Sequence, residues 1–354
     1  MAVVVFGRGC VLGRGAVRCA SARRLYSVSS VDPADIAHFS RLASEWWNEN
    51  GEFAPLHRMN LVRIEFMRQK LEEVHDWDAA LADVCGKPVP PPLDAPAFLT
   101  GKQMLDVGCG GGILAESAAR LGARVTGVDA SEENIRVATL HASQDPAIRL
   151  RDTNQIGGTT DGSILYLHSS AEALRDAGHQ FDVVTAMEVV EHVHRPDEFL
   201  RCLAALTKPG GHLFLSTMSR TALSYLVTIF LAEKMLRVVT PGTHRHEKYI
   251  HPSEMVAFFR ELGWIPSEQE VLAHRPTLPN GEPVAPCPPR LQFETRGTIY
   301  VPLLGRWVLA SPRTADESAT GSTTPAWLPT VLGGGMRPTE LCNYFFWARR
   351  TLTS

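Results

Sequence analysis

The sequence predicts a doubly wound α/β fold, and three observations carry that prediction. First, an apolar approach, Met104-Leu105-Asp106-Val107, runs into three alternating glycines, Gly108, Gly110 and Gly112, and then into the helical pattern Ile113–Leu121. Strand, glycine turn and helix form the corner at which such sheets cradle a phosphate or a nucleoside. Second, another apolar run, Ala123–Val128, ends in Asp129. That is about 20 residues past the first glycine, where a carboxylate at a strand tip accepts hydrogen bonds from ribose hydroxyls. Third, apolar runs and helical patterns alternate as far as Ser216, which implies right-handed parallel crossovers.

Taken in order, residues 1–30 stand apart from the rest. Arg8, Arg14, Arg18, Arg23 and Arg24 lie among Val, Ala, Gly and Ser, and no acidic residue precedes Asp32. An arginine-rich, acid-free leader reads as a mitochondrial transit peptide, with Arg23–Ser27 as its cleavage region. A secretory signal is the rival, but its apolar run would be interrupted by Arg8 and Arg14.

Residues 31–87 are expected to be N-terminal helices. Ile36, Phe39, Leu42, Ala43, Trp46 and Trp47 recur at helical spacing, as do Leu61, Ile64, Phe66, Met67 and Leu71. Gly51–Asn60 is expected to be irregular between them, with a further helical stretch to Cys85. The proline-rich insertion 88–98 cannot be helix.

The core spans 99–265, with strands expected near 103–107, 124–128, 164–168, 181–186 and 211–216, and a surface loop over 152–162. An insertion at 219–250 contains Leu223–Ala232, an apolar run followed by Glu233, Lys234 and Arg237. It is too short to span a bilayer, which takes about 20 residues. It reads either as a helix that lies on a membrane surface or shields a lipophilic substrate, or as one packed on the core. A helix over 252–264 follows. Residues 266–354 are rich in proline and glycine, with disorder expected over Arg313–Thr324 and a late strand over Asn343–Ala348.

Bulk properties narrow the functional class. A formal net charge of −3 over 354 residues gives no general affinity for nucleic acid. Seven scattered cysteines without a Cys-x-x-Cys pair indicate neither a disulfide framework nor a structural zinc site.

Spacing within the glycine corner then selects the ligand. A dinucleotide fingerprint would place its third glycine at position 113, which is Ile. The pattern Asp-x-Gly-x-Gly-x-Gly instead resembles the first motif of class I S-adenosylmethionine (SAM) methyltransferases, which implies a Rossmann-like doubly wound sheet. Asp129 as a mere helix cap is the plainer alternative, although Ser131 suits that task better.

Four stretches make the resemblance narrower. They are Phe39–Asn60, with Ala43-Ser44-Glu45-Trp46-Trp47 and Glu52–Asn60; Leu105–Glu116; Met187-Glu188-Val189-Val190-Glu191-His192-Val193; and Pro241-Gly242-Thr243-His244. In this order they resemble the ubiquinone-biosynthesis O-methyltransferases, which methylate catechol hydroxyls of polyprenylated intermediates. The resemblance implies that Gly108 packs under the methionine part of SAM, that Asp129 holds the ribose, that Met187 lines the adenosine and that Arg63 reaches the cofactor carboxylate. An arginine has the bidentate geometry for that last role; without the resemblance, Arg63 reads as a solvated helix residue.

Glu188, Glu191 and His192 resemble the divalent-metal site of eukaryotic members, with Mg²⁺ as the expected ion and Mn²⁺ or Zn²⁺ also compatible. A metal chelating both catechol oxygens would lower the phenol pKa. Two readings stay open beside it: His192 as a general base without metal, and the carboxylates as a solvated acidic turn. Glu191 and His192 are the expected catalytic pair.

The resemblance further implies a demethylubiquinol-type substrate, both O-methylation steps, other subunits of a biosynthetic complex, and a peripheral position on the matrix face of the mitochondrial inner membrane. Pro276–Thr324 departs from the family pattern, and no site residue is assigned there. Competing classes are an NAD-dependent oxidoreductase, disfavoured by Ile113, a methyltransferase of protein or RNA, or of another phenol, and a non-catalytic scaffold, disfavoured by the intact glycine corner and acidic turn.

Overall fold

The computed structural model describes residues 30–152, 156, 158–224, 248–301, 304–312 and 337–351. Its centre is a nine-stranded sheet: β1 (Gln103–Val107), β2 (Arg124–Asp129), β3 (Arg149–Leu150), β4 (Ser163–His168), β5 (Phe181–Met187), β6 (Thr207–Met218), β7 (Phe293–Val301), β8 (Arg306–Leu309) and β9 (Asn343–Arg349). The order is β3-β4-β2-β1-β5-β6-β9-β7-β8. From β3 to β6 every pairing is parallel, and β9, β7 and β8 add an antiparallel edge.

The helices are α1 (Pro33–Arg41), α2 (Ala54–Val84), α3 (Ile113–Arg120), α4 (Glu132–Ala142), α5 (Ala171–Asp176), α6 (Pro196–Leu206), α7 (Ala222–Ser224), α8 (Pro252–Glu261) and α9 (Glu268–Ala273). The five core strands and the late strand fall where the apolar runs place them. The sheet is a mixed α/β sheet of the class I methyltransferase kind.

β9 shows why its aromatic weight is needed. It pairs with β6 on one side (Leu215↔Phe346) and β7 on the other (Thr295↔Phe346), so it is an interior strand. Alternate side chains then point to opposite faces. Phe345 and Trp347 join Phe66, Met67 and Leu71 of α2, while Tyr344 and Phe346 join Leu203 of α6 and Phe259 of α8 on the other face.

Several expectations need correction. Residues 54–60 are helical, not irregular, and α2 runs unbroken for 31 residues. Pro55 sits in its first turn, where a missing N–H costs nothing. The helix expected through Trp47 ends at Arg41, followed by a single 3₁₀ turn, Ala43–Glu45. β3, β8 and α9 were not expected. Residues 88–92 are non-helical.

The leader (1–29), Tyr225–Ala232 with the rest of the proposed membrane-facing segment, Pro241–His244, and Arg313–Thr324 all lie outside the described residues. Among the described residues no helix is long and apolar enough to cross a membrane.

A buried ionic network ties α2 to the sheet edge. Glu294 of β7 accepts two hydrogen bonds from Arg296, at 2.8 and 2.9 Å, and Lys70 Nζ lies 2.5 Å away. All three side chains are almost fully buried. Burial pushes the Glu294 carboxyl up, but Arg296 and Lys70 outweigh it and hold it below its ordinary 4.5. Its contribution to stability is therefore fully present above pH 4.5 and is lost as pH falls through the lowered folded value. Glu294→Ala should destabilise the fold by about 3–5 kcal/mol, because buried Arg296 loses its carboxylate partner and Lys70 keeps only Glu73. Urea denaturation at neutral pH checks this, and a loss below about 1 kcal/mol would contradict it.

Candidate active site

The parallel register places three strand ends side by side. Val107 of β1 pairs with Val128 of β2, and Asp106 pairs with Thr185 of β5. The chain leaves β1 through Gly108 (φ +69°) and Gly110 (φ +53°), a conformation costly for any residue with a Cβ. Space forbids a side chain as well. A Cβ on Gly108 would come within 2.6 Å of Val189, and one on Gly110 within 2.5 Å of the Trp46 ring.

Asp129, at the tip of β2, is the hub of this corner. Its Oδ2 accepts from the Gly110 N–H at 2.9 Å, and its Oδ1 accepts from Ser131 N–H at 2.8 Å and Asn134 Nδ2 at 3.2 Å. Burial pushes its carboxyl above the ordinary value despite those bonds. The N-cap of α4 is Ser131, whose hydroxyl accepts from Asn134 N–H. Asp129 is thus free of that duty and instead organises the loop.

The N-terminal segment closes over the same corner. Trp46 stacks flat on Phe53 at 3.9 Å and donates through Nε1 to Asn134 Oδ1 at 2.9 Å. Trp47 donates to the Gly111 carbonyl at 2.9 Å. Trp46 and Asn134 received no role from the sequence. Helical spacing marked Trp46 as buried but not what it covers, and Asn134 is an ordinary helix residue until the Ser131 cap positions it.

Arg63 of α2 is 95% buried, yet its Nε and Nη2 find no hydrogen-bond partner among the described residues. Burial lowers its guanidinium pKa, opposed by the charges of Glu188 first, then Asp106 and Glu191. Asp106 is itself pushed up to about 6 by burial, with Thr185 Oγ1 donating to it at 2.7 Å.

Beyond buried Met187 at the end of β5 comes the acidic turn. Glu188 has φ +57°, the only positive value at a non-glycine among the described residues. Its N–H donates to the Ser216 carbonyl at 3.0 Å, and its buried Oε1 has no partner. The 3₁₀ turn Val190–His192 follows. Glu191 is buried and accepts from Thr217 Oγ1 at 3.0 Å through Oε2, leaving Oε1 unpartnered. Burial and the Glu188 charge push its carboxyl up.

His192 donates from Nδ1 to Asp35 Oδ2 of α1 at 3.3 Å, with the Phe39 ring edge-on at 5.1 Å. Burial disfavours its protonated form, but Asp35 and Glu191 outweigh that and hold its pKa above the ordinary value. Asp35 was missed in the sequence because nothing local relates residue 35 to residue 192.

Nothing in the structure supports the expected Mg²⁺ at Glu188, Glu191 and His192. Among the described residues no three His, Cys, Asp or Glu side chains are placed to share an ion. Glu191 is engaged with Thr217 and His192 with Asp35.

Comparison with known proteins narrows the class. A family model described as a methyltransferase domain matches residues 90–266. The chain is 40% identical over 248 residues to the ubiquinone biosynthesis O-methyltransferase of Roseobacter denitrificans, covering 70% of this chain and 88% of that one. It is 42% identical over 231 residues to the protein of that name from Brucella ovis, covering 65% and 82%. The SAM-bound magnesium protoporphyrin IX methyltransferase of Synechocystis PCC 6803 aligns over 80% of each chain at 14% identity and TM-score 0.35, too loosely to bear on the site.

The chain is a SAM-dependent methyltransferase. It belongs to the family of ubiquinone biosynthesis O-methyltransferases.

Proposed function

We propose that this protein transfers a methyl group from SAM to a catechol hydroxyl of a polyprenylated ubiquinone precursor, using His192 as general base. The observation that carries the chemistry is His192 on the turn after β5, with Nδ1 held by Asp35 so that Nε2 is left to accept a proton. Asp129 and Met187 would hold the ribose and adenosine, with Gly108 beneath the methionine part and Arg63 at the carboxylate. Unpartnered buried nitrogens on Arg63 fit a ligand that carries a carboxylate.

Bound SAM supplies an electrophilic methyl on a sulfonium. The protein's part is to orient the phenol for in-line attack and to take its proton at His192 Nε2. Phe39 packs edge-on against the His192 ring. Glu191, buried beside His192, stabilises the imidazolium that forms. A divalent ion, if bound, would be held by Glu188, Glu191 and His192 and would lower the phenol pKa; no step is routed through it. Action at both O-methylation steps, and association with other subunits of a biosynthetic complex, belong to this proposal on the family's account alone.

Labelled SAM and a short-chain demethylubiquinol provide the direct test. Methyl transfer should persist in chelator, and His192→Asn should lower kcat by about 10²–10⁴-fold. Loss of turnover in chelator with rescue by Mg²⁺ would overturn the metal-free base. Asp129→Ala should weaken S-adenosylhomocysteine (SAH) binding by about 1.5–3 kcal/mol by calorimetry, and unchanged affinity would remove the ribose assignment.

The proposed setting is the matrix face of the mitochondrial inner membrane, with Leu223–Ala232 and the cations after it lying on the lipid. The motivation is the acid-free arginine leader and that apolar run. Full-length chain incubated with energised mitochondria should become shorter and protease-protected, and should leave the membrane in carbonate. A product that keeps its leader, or stays in the soluble fraction throughout, would count against this setting.

A further inference from the structure

We infer that Glu116 and His141 are positioning residues for the methyl donor: together they hold Trp47, and Trp47 holds the glycine corner in its donor-binding shape. This rests on the reading of that corner as a SAM site and deepens it, because both residues act through another side chain.

The corner needs holding. Gly108, Gly110 and Gly112 have φ of +69°, +53° and +93°, and glycine gives up more conformational freedom on ordering than any other residue. In a loose loop that ordering would be set against donor binding, whereas a loop held beforehand avoids the loss. The strands hold one side. Gly108 and Cys109 N–H donate to the Val128 carbonyl at 2.8 and 3.1 Å, and Gly110 N–H donates to Asp129. Trp47 holds the other side, with Nε1 donating to the Gly111 carbonyl at 2.9 Å.

Trp47 follows the short 3₁₀ turn Ala43–Glu45, so its ring takes its setting from its neighbours. It lies flat on the His141 imidazole, with centroids 3.4 Å and planes 5° apart. His57 meets the indole at an angle, 5.5 Å away, and donates through Nε2 to the Trp46 carbonyl at 2.7 Å. His141, in the last turn of α4, donates from Nδ1 to Glu116 Oε1 at 2.8 Å. That bond fixes the imidazole plane, and the stack passes the plane on to the indole. An indole held in this way directs its N–H at Gly111.

Glu116 distinguishes the arrangement from packing. Its side chain is fully buried in the first turn of α3, the helix that starts at the glycine corner. Burial pushes its carboxyl up, against the pull of His141 and Arg120. Arg120 Nη2 lies 3.0 Å from it and is oriented in turn by Asp145, 2.7 Å from Nε. Apolar residues of similar volume often serve a buried site as well as an ion pair or better, so filling space does not call for a carboxylate here. The contacts close a ring that runs from the corner through α3, Glu116, His141 and Trp47 back to Gly111.

Calorimetry with SAH, beside thermal melting without ligand, separates positioning from packing. Glu116→Leu, His141→Leu and Trp47→Phe should each weaken SAH binding about three- to tenfold, the worth of roughly one hydrogen bond. Glu116→Gln, whose amide oxygen still accepts from Nδ1, should stay within about twofold of wild type. Because the three side chains act in series, the double variant Glu116→Leu/Trp47→Phe should bind no more weakly than the worse single one.

Losses that simply add would overturn the relay. A lowered melting temperature in Glu116→Leu with SAH affinity unchanged would overturn it in favour of packing alone. Should either leucine variant fail to fold, the other completes the same cycle with Trp47→Phe. Wild-type protein that ignores SAH would instead sink the SAM reading itself.

Discussion

Parallel pairing of β1 with β2 on one side and β5 on the other is the constraint on which the site depends. Adjacent strands lie about 4.8 Å apart, so the ends of three strands are neighbours before any side chain is chosen. Gly108, Asp129 and Met187 leave those ends in turn, and the Gly108 N–H is anchored on the Val128 carbonyl at 2.8 Å. Connections run to opposite sides of β1, which opens the crevice where doubly wound sheets bind ligands. Slipping either pairing by one residue would turn Asp129 or Met187 to the wrong face.

Helix α2 carries two buried cations seven residues apart, hence on one face of the helix, and they are treated oppositely. Lys70 meets Glu73 and Glu294 at 2.6 and 2.5 Å and also faces the Trp347 ring. Arg63 has carboxylates in its neighbourhood but no hydrogen bond at Nε or Nη2. A fold able to satisfy Lys70 so fully had the means to satisfy Arg63. Leaving it open fits a ligand-facing role, whereas the Lys70 network is architectural. Both depend on β9, because Phe345 and Trp347 form the wall against which α2 lies.

Local pattern made the core legible. β1, β2, β4, β5 and β6 are apolar runs bounded by turns, and β9 announces itself by aromatic density. Shorter pieces were invisible for a physical reason: β3 has two residues and β8 four, too few for a period to register. The site was legible wherever one residue type is demanded by its own backbone, as at Gly108 and Gly110. It was illegible wherever a role comes from a distant contact. Trp46 reaches the glycine corner from 64 positions upstream of Gly110, and Asp35 meets His192 across 157 positions. The metal set illustrates the converse. Glu188, Glu191 and His192 are close in sequence, but Glu191 is bound by Thr217 and His192 by Asp35, while Glu188 Oε1 has no partner among the described residues.

Proximity of α1 to His192 extends this reasoning to the substrate side. Asp35 receives His192, Asp32 caps α1, and Lys248 approaches both carboxylates, at 3.2 Å from Asp32 and 3.7 Å from Asp35. One strand-like bridge, Val31 with Val193, and the bond from His194 N–H to the Ser30 carbonyl fasten the same segment beside the turn. Carboxylates on α1 therefore do two things together: they hold the imidazole with Nδ1 engaged, and they join the N-terminal segment to Lys248. Asp35 accepts from Nδ1, which fixes the tautomer whose Nε2 lone pair is basic. Asparagine in place of Asp35 could still accept that bond but would lack the charge that favours imidazolium. Orientation of the base and its affinity for a proton thus come from one carboxylate, supplied by a helix outside the sheet.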